Sequence, residues 1–140
     1  TITSTASTIP AAGEPIVLYR DCTNVINFTG LGNLSAATKL WFTLKTNKEV
    51  ADTDAILQVE MTTGAIRWNK LVAKPEYATL VVTDLVTGAV TLTITSTGAA
   101  LLPSGLGVMV YDFKQSTPAG ETTLSPGQAT IDIVVTRTIA

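Results

Sequence analysis

The sequence has 140 residues, the length of one domain able to bury most of its surface around a single core. Charged residues make up only 14% and the net charge is −2, so the chain lacks the basic stripe of an electrostatic nucleic-acid binder. Histidine is absent and Cys22 is the one cysteine, which excludes Ser-His-Asp and Cys-His catalysis, His-ligated metals and an intrachain disulfide.

Residues Thr1 to Ala12 are Thr, Ser and Ala with Ile2, Ile9 and Pro10. They carry no apolar period and are expected to form an extended arm preceding a domain over 13–140. No charged-then-apolar leader opens the sequence, so no secretory signal is expected. No run approaches the roughly 18 consecutive apolar residues of a membrane span.

Beyond the arm the dominant signal is alternation with period two, which fits strands having one buried face. Pro15 to Arg20 and Asn24 to Thr29 are the first two, the second with Ile26 and Phe28 on one face. Gly30-Leu31-Gly32-Asn33 breaks the chain. In Lys39 to Lys45, Leu40, Phe42 and Leu44 oppose Trp41, Thr43 and Lys45. Ala55 to Glu60, Ala65 to Asn69 and the β-branched Ala78 to Asp84 follow. Val90, Leu92 and Ile94 then alternate with Thr91, Thr93 and Thr95, so a one-residue slip would bury three threonines.

Thr97 to Leu102 reads as one helical turn crossing between sheets, too short for an independent helix. Gly107 to Lys114 sets Met109, Tyr111 and Phe113 against Val108 and Val110; Thr117-Pro118-Ala119-Gly120 is a turn; Ala129 to Arg137 closes the chain with Ile131, Ile133 and Val135 inward. The sum is an all-β fold: an immunoglobulin-like antiparallel sandwich of about eight or nine strands with one short helical turn. A β-barrel is the alternative that short-strand periodicity leaves open.

Candidate sites are few. Asp52-Thr53-Asp54 supplies two carboxylates of the kind that hold calcium, without the Gly and trailing Glu of a calcium loop, and a solvated turn is the competing reading. Asp112 sits in a strand, and Glu60, Asp84 and Asp132 are available partners, but no spacing selects a catalytic pair. Cys22 is expected to be a passive small residue. Trp41, Trp68, Tyr77 and Tyr111 are the aromatic candidates for a sugar platform, Trp41 reading more readily as core or subunit contact. Trp68, between Arg67 and Lys70 in a polar stretch, is expected to be exposed and to form a protein-interaction hot spot. The arm residues Thr1, Ile2, Thr3, Ile9 and Pro10 are the second expected interface.

The order of these segments is similar to that of a β-sandwich module in tailed-phage structural proteins, the N-terminal type of baseplate upper protein. Lys39 to Lys45 resembles its Trp-Phe-Thr strand, Asp52 to Gln58 the acidic segment after it, and Val90 to Thr95 its Thr-alternating strand. Ala99 to Gly105 resembles its Leu-Pro-Gly turn, Val110-Tyr111-Asp112 its Tyr-Asp strand, and Ala129 to Arg137 its closing strand. Pro15 to Phe28 resembles the opening pair, though Arg20-Asp21-Cys22 lacks the usual glycine. Met61 to Gly88 is longer than its counterpart. The resemblance implies a structural role without catalysis or cofactor: a virion protein of the tail, baseplate or fibre-attachment apparatus, homo-oligomeric, assembled in the host cytoplasm, with other virion proteins as partners. Capsid decoration and carbohydrate-binding receptor recognition are the alternatives.

Overall fold

The computed structural model describes residues 4–8, 14–20, 22–47, 49–69, 72–103 and 107–132. Among the described residues ten strands form two sheets. They are β1 (Ser4–Thr8), β2 (Ile16–Tyr19), β3 (Cys22–Phe28), β4 (Lys39–Lys45), β5 (Leu57–Glu60), β6 (Gly64–Trp68), β7 (Ala78–Asp84), β8 (Ala89–Ile94), β9 (Met109–Thr117) and β10 (Gly120–Asp132). One sheet runs β1-β3-β8-β7 and the other β2-β10-β9-β4-β5-β6.

The alternation read from the sequence decides which side chains meet between the sheets. Leu40, Phe42 and Leu44 of β4, Met109, Tyr111 and Phe113 of β9, and Val90, Leu92 and Ile94 of β8 are all buried. Phe28 of β3 meets Phe113 edge-on at 4.8 Å between ring centroids, and Phe42 stacks on Tyr111 at 5.5 Å. This aromatic cluster bolts the two layers together, each side chain contributing roughly 1.5–3 kcal/mol through burial.

The strand order places the chain among sandwiches of immunoglobulin variable type. β1-β3-β8-β7 corresponds to strands A, B, E and D, and β10-β9-β4-β5-β6 to G, F, C, C′ and C″. Most pairings are antiparallel, but the edge strands β1 and β2 pair parallel with β3 and β10. Residues 4–8 of the expected arm are thus an edge strand on this same chain. Ser-Thr-Ala-Ser-Thr has no apolar alternation to announce it, and main-chain pairing on an edge requires none.

Two further differences from the sequence reading have local causes. The hairpin after residue 114 is longer than expected: β9 continues to Thr117 and β10 begins at Gly120. Pro126 and Gly127 disguise this strand, because they fall where its register shifts between Leu124 and Gly127, and a bulge is where a strand tolerates proline. Gly127 is required there: a Cβ would meet the Tyr111 ring at 2.6 Å. Met61 to Gly88, the long stretch, supplies one edge strand to each sheet, β6 and β7, joined by a 3₁₀ turn at Pro75–Tyr77. Besides that turn and another at Asp52–Asp54, the helical turn Ser96–Ala99 carries the chain between sheets, capped by Thr95, whose Oγ1 accepts from the Gly98 amide.

No helix among the described residues is long and apolar enough to cross a membrane.

Candidate functional site

The expected hot spot at Trp68 is not on the surface. Trp68 is 1% exposed; its ring lies 5.5 Å from that of Tyr77 and its indole Nε1 donates to the Gly98 carbonyl at 2.9 Å. Its polar neighbours misled the reading: on a strand, adjacent residues point to opposite faces, so Arg67 is outward because Trp68 is inward. Tyr77 and Tyr111 are likewise buried, which dismantles a platform built on them. The other expected interface residues, Lys70, Thr1, Ile2, Thr3, Ile9 and Pro10, lie outside the described residues.

The surface that does gather functional groups is the outer face of the six-stranded sheet. Register places Trp41 between Lys114 of β9 and Glu60 of β5, and Gln58 beside Arg67 of β6. Trp41 therefore stands on the face opposite the core, half-buried, with the Lys39 ammonium 6.0 Å from its ring centroid. Beside it Gln58 Nε2 donates to Thr43 Oγ1 at 3.1 Å, and Arg67 Nε donates to Gln58 Oε1 at 3.2 Å. Thr43 and Gln58 are 3% and 5% exposed although they face outward, so their neighbours' side chains cover them. Lys114 Nζ is 3.1 Å from Glu121 Oε1. Trp41, Gln58, Ile66, Arg67, Lys114 and Glu121 line one hollow of about 220 Å³.

Glu60 points its charge elsewhere. Its Oε2 accepts from the Thr62 and Thr63 amides and the Thr63 hydroxyl, closing the β5–β6 turn. Burial pushes its pKa up, but these hydrogen bonds outweigh that and hold it below the usual carboxylate range. Asp84 does the same at the β7–β8 turn, lowered by the amides of Thr87 and Val86. Asp112, opposite Thr43 on β4, lies on the same outer face as Trp41.

Asp52 and Asp54 bound a 3₁₀ turn, and Asp54 is exposed on the rim of a larger groove of about 570 Å³ with Glu49, Val50 and Asn69. Among the described residues no group of three His, Cys, Asp or Glu is placed to hold a metal ion. Cys22 is buried at the start of β3.

Fold and face together define an immunoglobulin-like sandwich domain with a polar, aromatic-centred sheet face. No protein-family model matches the chain, and no curated protein does. Among solved structures, the extracellular portion of mouse CD200RLa aligns over 93% of this chain and 56% of its own, at 10% identity and a TM-score of 0.39. The fold assignment rests on strand order and core.

Proposed function

We propose that this chain is a structural module of a tailed-phage virion, in the tail, baseplate or fibre-attachment apparatus, acting through repeated protein–protein contacts and not as an enzyme. The observation that carries the reading is where the sandwich leaves apolar side chains in water. Leu85 and Val86, 51% and 69% exposed, project from the β7–β8 turn at one end. Val108, 60% exposed, lies at the opposite end just before β9. Apolar groups at both ends of a rigid unit suit contacts that repeat from copy to copy. The resemblance noted in the sequence supports the same reading.

The test is imaging of intact particles with a label on this chain. A repeated position on the tail or baseplate is expected; a position on the head would move the assignment to capsid decoration, and absence from purified particles would overturn the virion role.

A further inference from the structure

The hollow around Trp41 has features that a solvated sheet face does not need. An exposed arginine on an edge strand gains little from one surface contact. Here Arg67 is instead held at the end of a relay: Thr43 fixes Gln58, and Gln58 Oε1 takes the Arg67 Nε hydrogen, with the first two members buried. The two terminal guanidinium nitrogens make no hydrogen bond among the described residues. The relay thus aims an unused planar fork outward and reduces the freedom it would lose on taking a partner.

The surroundings narrow the ligand. Arg67, Lys114 and Glu121 stand around the hollow, and the Glu60 carboxylate, opposite Trp41, is turned to its own hairpin by three hydrogen bonds. A planar guanidinium fork fits a carboxylate, which it binds through two parallel hydrogen bonds. Trp41 and Ile66 add apolar surface beside that fork. Glu121, 54% exposed, offers an acceptor for hydroxyls on the far wall. The volume, about 220 Å³, falls below the 300–1,000 Å³ typical of drug-sized ligands and suits one ring.

We propose that this hollow binds one carboxylated sugar residue of an acidic glycan, the carboxylate on Arg67 and the apolar ring face against Trp41. The proposal does not rest on the virion role, and particle imaging leaves it untouched.

The experiment titrates the full chain with oligosaccharides ending in glucuronic acid or in N-acetylneuraminic acid, against a glucose-terminated analogue and a glutamate-rich peptide, followed by amide chemical shifts. Saturable binding of at least one acidic oligosaccharide is expected, with the neutral analogue and the peptide about tenfold weaker or worse. Arg67→Gln and Trp41→Ala should each weaken it by about tenfold and Arg67→Lys by less, their melting temperatures showing that the fold persists. Failure of both acidic oligosaccharides to saturate, equal binding of the peptide, or unchanged affinity in Arg67→Gln would each overturn the proposal.

Discussion

Tyr111 illustrates how one side chain answers to both layers. Its ring packs between Phe28 and Phe42, while its hydroxyl donates to the Glu14 carbonyl at 2.6 Å, tying the segment before β2 to the core. Burial, then the Glu14 charge, pushes its pKa up to about 12 from 10.0. A raised folded-state value means stability that is full below pH 10 and is lost as pH rises toward 12. Denaturant titrations should show that loss for the native chain, while Tyr111→Phe should flatten the alkaline limb and cost about 1 kcal/mol at neutral pH. An unchanged alkaline limb in the variant would remove Tyr111 as its cause.

Trp68 carries a second residue-scale expectation. Trp68→Ala should cost about 3–5 kcal/mol by emptying a core corner and stranding the Gly98 carbonyl, measurable as a fall in unfolding midpoint. The sequence could not place this ring, because Arg67 beside it on the strand faces the other way and makes the stretch look polar. The Leu40-Phe42-Leu44 and Val90-Leu92-Ile94 alternations were legible because each is repeated three times in one strand.

Among the elements, the turns hold charge and the edges hold polarity. Glu60 and Asp84 each cap a hairpin turn with a depressed pKa. Their contribution is present above the ordinary carboxylate range and fades as pH falls through their folded values. Glu60→Gln should therefore lower stability at pH 7 and blunt the acid loss between about pH 5 and 3; a variant as acid-sensitive as the native chain would contradict this. β1 and β10 were the elements least legible in sequence. One has Ala6 as its single apolar member, and the other hides a bulge behind Pro126. The candidate face was harder still, since the cross-strand contacts among Trp41, Gln58, Arg67 and Lys114 depend on a strand order that no local pattern encodes.

For the whole molecule, the sandwich was readable from periodicity and turn residues, whereas the parallel seating of β1 and β2 was not. The exposed apolar ends yield a test of the proposed copy-to-copy contacts: Leu85→Asp with Val86→Asp should leave folding stability within about 0.5 kcal/mol, as surface changes do, and abolish whatever self-association sedimentation detects in the native chain. Unaltered association would move the contact away from that tip.

The pairings Ser4↔Cys22 and Asp132↔Tyr19 put the first described residue of β1 and the last of β10 at the same end of the sandwich, beside the β2–β3 turn. Tension applied between those two points therefore runs across the strands rather than along them. It would peel ladder bonds one after another instead of loading them in parallel. A unit pulled at those two points would yield at lower force than one whose strands are loaded along their length.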